Sequence, residues 1–207
     1  MPKKTPLQLD DLFRLKVLGR PAIAPDASRI VFELKRCDLK ENKNFTQLMI
    51  VDATGGEPRP LTHGNHSDTL PRWSPDGSRM AFLSTRHKGT CLMVMSMTGG
   101  EPKRLTEPDG FVHDFAWSPD GNRLVFTYQS MNEREKLERD GKDDEVRKQP
   151  QFKHITRLFH KLDGAGWWNG HYTHVWIVSA DGGKPKQLTR GDFDDREPRF
   201  SPDGKLL

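Results

Sequence analysis

WSPDG at residues 73–77 recurs as WSPDG at 117–121 and FSPDG at 200–204, with a divergent copy, IAPDA, at 23–27. A second motif alternates with it, as GGEPRPLT (55–62), GGEPKRLT (99–106) and GGKPKQLT (182–189). The two WSPDG copies lie 44 residues apart, and so do the first two GGxP copies. A repeat of about 40–50 residues, built from short strands and Gly/Pro turns, is typical of β-propeller blades.

Each SPDG copy predicts a tight turn between two strands. Proline presets φ for the second turn position, and the glycine can take a positive φ at the end of the turn. Ala27 replaces that glycine in the divergent copy. Because a residue other than glycine loses about 1–2 kcal/mol at positive φ, we expect this copy to form a turn of a different type.

The repeat also sets the predicted organisation of the chain. We expect an N-terminal helix and lead-in over 1–19, with the helix itself at 5–18 and Thr5 as its N-cap. A partial propeller follows over 20–207, and each complete unit is an antiparallel meander of four strands. The predicted blades cover about 20–62, 70–106 and 113–189, and a truncated fourth covers 197–207.

An insertion interrupts the third blade. The second and third GGxP copies are 83 residues apart instead of 44, and the extra residues fall at about 129–172, between the second and third strands. The charged part before Pro150 is expected to form an exposed helix or a flexible excursion. The aromatic part after it is expected to pack, using Phe152, Ile155, Leu158, Phe159, Trp167, Trp168 and Trp176.

The loops divide into two groups. The SPDG and GGxP turns are nearly identical and lie on one face of the predicted disc, whereas the loops that differ between units lie on the other. A constant face beside a variable face indicates a scaffold with one working side. We expect the insertion to emerge on the variable side, beside His113 and Asp192.

Composition excludes several classes of function. The chain has 33 basic and 29 acidic residues, interspersed without a basic stripe, so no nucleic-acid partner is expected. No apolar run approaches 18 residues, so no membrane partner is expected. The acidic loop 190–197 lacks the spacing of a calcium loop, and we expect neither a metal nor a cofactor. Two cysteines do not make a disulfide framework, which favours a reducing, cytoplasmic location.

Two segments resemble a known family: LQLDDLFRLKVLGRPAIAPDASRIVF (7–32) and ITRLFHKLDGAGWWNGHYTHVWIVSADGGKPKQLTRGDFD (155–194). They are similar to the propeller of the prolyl oligopeptidase family of serine peptidases, especially its acylaminoacyl-peptidase and dipeptidyl-aminopeptidase-like members. The SPDG and GGxP motifs are shared with TolB-type propellers, whereas RLFHKLDGAGWW is more specific. The fold implied is all-β: an incomplete propeller of the TolB-like, prolyl-oligopeptidase type, with about three four-stranded blades, the start of a fourth and a short N-terminal helix.

The resemblance implies a serine peptidase whose propeller restricts the access of short peptides or acyl-peptides to a C-terminal α/β-hydrolase domain. That domain would be the partner of this chain, and short peptides would be the substrates of the parent enzyme. The chain has no G-x-S-x-G nucleophile elbow, so we assign no catalytic residue and expect it to be inactive alone. The alternatives are a TolB-like propeller that acts only through protein contacts and an inactive gene remnant.

The aromatic end of the insertion supplies the candidate site residues, which would contact substrate or the missing domain: Arg157, His160, Asp163, Trp167, Trp168 and Tyr172. Arg157 could hold a substrate carboxylate through two parallel hydrogen bonds. The aromatic residues could instead pack against a neighbouring blade, and the sequence leaves both interpretations open.

Overall fold

The computed structural model of the chain describes residues 6, 8–87, 89–107, 109–150, 152, 154–163 and 166–207. Strands dominate, and the predicted all-β class is confirmed. The chain divides into two compact units, Met1–Arg86 with Leu92–Arg104, and His87–Cys91 with Leu105–Leu207.

The first unit begins with a helix that is shorter than predicted. A 3-10 helix covers Leu9–Arg14 rather than residues 5–18, and Gln8 is its N-cap. Thr5, the predicted N-cap, lies outside the described residues. The helix ends early because Val17 already pairs with Lys35 in the first sheet, so strand pairing takes residues that the helical pattern had included.

Two four-stranded meanders follow in the first unit. The first sheet runs in the order β1 (Val17–Ile23), β2 (Arg29–Asp38), β3 (Lys43–Asp52) and β4 (Arg59–Pro60). The second runs in the order β5 (Asp68–Trp73), β6 (Arg79–Ser84), β7 (Cys91–Ser96) and β8 (Lys103–Arg104). Both sheets have the strand order predicted for propeller blades.

The SPDG turns form as predicted at three of the four copies. Gly77 has φ 69° and its N–H donates to the Ser74 carbonyl at 2.9 Å. The prediction for the divergent copy is wrong, because Ala27 keeps the same geometry with φ 56° and an N–H to the Ala24 carbonyl at 2.8 Å. The turn keeps this geometry despite a backbone strain of about 1–2 kcal/mol.

In each unit, the glycine of one turn also lies close to the proline of the turn before it. A Cβ at Gly77 would lie 3.5 Å from Pro25 Cδ, and one at Gly204 would lie 3.6 Å from Pro119 Cδ. In the first unit the Trp73 indole also donates to the Ala22 carbonyl at 2.9 Å. The same turn therefore packs on the proline of the preceding copy in both units.

The second unit contains the third blade and its insertion. The sheet order is β9 (Gly110–Trp117), β10 (Arg123–Ser130), β13 (His174–Ser179) and β14 (Lys186–Gln187). Between β10 and β13 lie α1 (Glu133–Arg139), α2 (Asp143–Lys148) and a small hairpin of β11 (Lys161–Leu162) and β12 (Gly166–Trp167). The fourth SPDG turn is formed at 201–204, and no strand is assigned among the described residues after Gln187.

Packing in the insertion differs from the prediction. Phe152, Leu158 and Phe159 are 78%, 84% and 67% exposed, and Ile155 is also exposed. The prediction that the segment after Pro150 buries these side chains is therefore wrong. The described part of the segment is held instead by the hairpin pairing and by polar contacts of Asn169 and His171 to the end of β10.

Candidate functional site

An open cavity of about 770 Å³ lies in the second unit, between the sheet, the hairpin and the loop 194–197. Its sheet wall includes Phe111 and His113 from β9 and Gln129 from β10. Its opposite wall is formed by the hairpin and the residues just before it. The insertion thus builds one side of the cavity and the propeller blade the other.

The β11–β12 hairpin gives the cavity wall its shape. Lys161 pairs with Trp167, and the Trp168 N–H donates to the His160 carbonyl at 2.8 Å. Gly166 has φ 75°, a conformation that favours glycine. The His160 and Trp167 rings lie 5.6 Å apart and are tilted by 32°, so the two side chains form one aromatic surface.

Two cations lie over tryptophan rings of this wall. The Arg157 guanidinium is 4.8 Å from the centre of the Trp168 ring and 5.5 Å from that of Tyr172. Lys161 Nζ is 5.4 Å from the centre of the Trp167 ring. Attraction between a cation and an aromatic face contributes about 0.5–1 kcal/mol at an exposed site, so both cations are held in preferred positions.

Asn169 fastens the hairpin to the blade. Its amide nitrogen donates to the Ser130 carbonyl at 3.0 Å and to Glu135 Oε2 at 2.9 Å. Its side-chain oxygen accepts from the His171 N–H at 3.0 Å and from Gln129 Nε2 at 3.3 Å. One side chain therefore joins the end of β10, the first turn of α1 and the segment between the hairpin and β13.

Most carboxylates around the cavity are already engaged. Asp195 Oδ2 accepts from the Thr189 hydroxyl at 2.5 Å and lies 3.4 Å from His174 Nδ1. Asp114 Oδ2 accepts from Arg199 Nη1 at 2.8 Å.

The remaining two acidic residues of the 194–197 loop differ in their surroundings. Asp194 Oδ1 accepts from the Thr173 N–H at 2.9 Å, and its Oδ2 is 3.9 Å from Arg157 Nη2. Glu197 is exposed and has φ 50°, a left-handed conformation that is uncommon outside glycine. With Asp195, the loop therefore presents two anchored carboxylates to the cavity, and a third, that of Glu197, which forms no hydrogen bond or ion pair with another described residue.

His113 adds little positive charge at neutral pH. Its outer edge is exposed, but protein atoms around the cavity desolvate the ring and lower its pKa. The hydrogen bond with Gln129 and the charge of Asp194 oppose this shift without reversing it. The imidazole is therefore neutral near pH 7.

The structure brings together most of the residues singled out from the sequence. Arg157, His160, Trp167 and Trp168 line the cavity, and Tyr172 adjoins it through its contact with Trp168, with ring centres 5.3 Å apart.

Asp163 does not join them: it is exposed in the hairpin turn and is not among the described residues that line the cavity. Sequence reasoning missed Lys161 and Asn169. A hairpin prediction for KLDGAGW would have placed Lys161 opposite Trp167 and revealed the first of them.

Two negative observations apply to the described residues only. No group of three or more His, Cys, Asp or Glu side chains in them is arranged to hold a metal ion. None of their helices has the length and apolar character needed to cross a membrane.

Comparison with known proteins defines the class. The family model of the TolB beta propeller domain matches residues 15–149. The chain belongs to this propeller family, as the two alternating turn motifs predicted.

The relatives within this class are peptidases. The chain is 33% identical over 198 residues to a protein named uncharacterized peptidase YuxL from Bacillus subtilis (strain 168), covering 96% of this chain and 30% of that protein. It is 30% identical over 73 residues to dipeptidyl-peptidase 5 of Porphyromonas endodontalis, covering 35% of this chain and 11% of that protein. The chain thus spans about a third or less of the length of these relatives, and the resemblance to a peptidase propeller is confirmed.

A solved structure supports the same fold. Pyrococcus horikoshii acylaminoacyl peptidase superposes with a TM-score of 0.66 at 18% identity, over 86% of this chain and 26% of that one. At this identity the similarity establishes the propeller fold alone.

Proposed function

We propose that this chain is the propeller part of a serine peptidase that hydrolyses short peptides or acyl-peptides. The observation that carries the proposal is the 33% identity with a peptidase over 96% of the chain. Because the chain covers only 30% of that relative, the remaining length leaves room for an α/β-hydrolase domain. Neither Cys37 nor Cys91 is in a disulfide bond, which favours a reducing, cytoplasmic location for the parent.

In this proposal the chain binds and selects peptides, and the partner domain supplies the chemistry. The partner would carry out acyl transfer to a serine, with a histidine as general base. The cavity of the second unit combines the aromatic side chains of the hairpin with eight charged residues among those described, a lining that suits a polar ligand better than an apolar one. The propeller would exclude folded proteins by size.

The second candidate is a TolB-like propeller that acts through protein contacts alone. The exposed side chains of Phe152, Leu158 and Phe159 favour it, because exposed apolar patches mark interaction surfaces.

The complete reading frame that contains this chain distinguishes the two candidates. A following α/β-hydrolase sequence with G-x-S-x-G, and labelling of its serine by a fluorophosphonate probe, support the peptidase. The 207-residue chain is the matched control and should remain unlabelled. A reading frame that contains only further blades, with no labelling and no cleavage of dipeptide or acyl-peptide chromogenic substrates, would overturn the peptidase and leave the binding propeller.

A further inference from the structure

The two cations of the hairpin wall retain their hydrogen-bonding capacity. Within the described part of the chain, the cationic groups of Arg157 and Lys161 lie over aromatic rings but donate no hydrogen bond. The nearest carboxylate oxygen to Arg157, on Asp194, is 3.9 Å away, which is too far for a hydrogen bond. Five guanidinium N–H groups and one ammonium therefore border the cavity with their donors unused.

Three of the acidic groups of the cavity are engaged by donors of the scaffold. Asp114 is held by Arg199, and Asp195 by the Thr189 hydroxyl. Glu135 accepts from the Asn132 N–H and from the amide of Asn169. Each contact occupies a carboxylate oxygen with a donor of the scaffold, so that oxygen is not available to a ligand in the cavity.

The positive charges of the cavity are concentrated at the hairpin wall and beside it. Arg196 also lines the cavity, is exposed, and forms no hydrogen bond or ion pair with another described residue. Arg157 and Lys161 belong to the hairpin wall, whereas the carboxylates of the lining, those of Asp114, Glu135, Asp194, Asp195 and Glu197, come from β9, α1 and the 194–197 loop. Asp194 is the carboxylate nearest to Arg157, at 3.9 Å. An anionic group is favoured at the hairpin wall, and a guanidinium matches the planar geometry of a carboxylate.

We propose that Arg157 and Lys161 form a subsite for the carboxylate of a short peptide. The inference rests on the proposed function and deepens it by naming the part of the substrate that the propeller reads. Stacking on Trp168 and Trp167 positions the two cations before the ligand arrives, so less side-chain freedom is lost on binding. The carboxylate is either the free C-terminus of the peptide or an acidic side chain, since both present the same two oxygens.

Three N-acetylated tripeptides separate these sources, with binding to the unmodified chain measured by calorimetry. They are Ala-Phe-Ala with a free C-terminus, the same peptide as its C-terminal amide, and Ala-Glu-Ala amide. We expect the free acid to bind about tenfold to a hundredfold more tightly than its amide, as a charge-assisted hydrogen-bond pair would give. Tight binding of the Glu peptide would show that an acidic side chain is also accepted, and weak binding would restrict the subsite to the C-terminus.

Variants of the chain assign the effect to the hairpin wall. Arg157→Gln and Lys161→Gln should each remove most of the difference between acid and amide, and Arg157→Lys should retain part of it. Arg147→Gln is the matched control, because Arg147 is an exposed α2 residue with only a 3.6 Å ion pair to Asp144. It should bind the free acid as the unmodified chain does.

Two results would overturn the inference. One is equal affinity of the unmodified chain for all three peptides, and the other is no binding of any of them. Neither decides the proposed function, which depends on serine labelling in the complete protein. Failure of the labelling would refute the peptidase even if the carboxylate subsite were found.

Discussion

Replacement of Asn169 by alanine should release the hairpin wall without unfolding the blade. The side chain makes three hydrogen bonds of 3.0 Å or shorter, to Ser130, Glu135 and His171, and a longer one of 3.3 Å to Gln129. A neutral hydrogen bond contributes about 0.5–1.5 kcal/mol and one to a charged group about 1.5–3 kcal/mol. Allowing for partial exposure, we expect a local loss of about 2–4 kcal/mol.

Native-state hydrogen exchange measures this loss directly. The amide of Trp168, which donates to the His160 carbonyl, reports on the hairpin, and the amide of Phe126 in β10 reports on the blade. A loss of 2–4 kcal/mol corresponds to an increase in exchange of about 30- to 1,000-fold at Trp168, with little change at Phe126. Asn44→Ala, an exposed strand position, is the control. An increase below about threefold at Trp168 would refute the anchoring role of Asn169.

Three further predictions concern the scaffold. Hydrogen bonds from the side chain of Ser74, and to a smaller extent from Ser78, hold the pKa of Asp76 well below its usual range. The resulting stability is complete above the unfolded pKa near 3.9 and is lost as pH falls through the folded pKa. The thermal unfolding midpoint should therefore fall below about pH 4, and it should fall less steeply in Asp76→Asn. Parallel plots of midpoint against pH for the two proteins would contradict this. A Cβ at Gly110 would collide with the Tyr128 ring, so Gly110→Ala should cost about 1–3 kcal/mol in denaturant unfolding; an unchanged midpoint would count against it. Leu18 is 68% exposed on the edge strand β1 and should promote self-association of the chain. Size-exclusion chromatography should show less self-association for Leu18→Lys, and a monomeric unmodified chain would exclude this.

The repeated motifs made the scaffold predictable. Pro75 and Gly77 restrict the backbone locally, and a turn of this kind forms wherever the motif recurs. Ala27 shows the limit of this reasoning, because the local cost at one residue was smaller than the hydrogen bond and packing that the turn provides. The helix end at Arg14 was likewise decided by a strand pairing at Val17 that no local pattern reveals.

The insertion was less predictable because it occurs once. Its aromatic content indicated burial, but burial requires a partner surface, and composition does not say whether one is within reach. Phe152 and Leu158 are exposed, whereas the polar side chain of Asn169 carries much of the attachment. Hydrogen bonds of this kind depend on three segments meeting at one point, which the order of residues along the chain does not display.

The tryptophans of the hairpin have two possible roles, direct contact with a ligand and the positioning of a cation, and binding measurements distinguish them. Trp167 and Trp168 were candidates for direct contact with a ligand, yet in each case the ring carries a cation of the same chain. The rings are therefore better suited to position Arg157 and Lys161 than to stack on a substrate. If so, Trp168→Leu should weaken binding of a peptide acid much more than binding of its amide, because apolar surface is retained while the position of the guanidinium is lost. A tryptophan that contacted the peptide directly would instead affect acid and amide alike, so the ratio of the two affinities distinguishes positioning from contact.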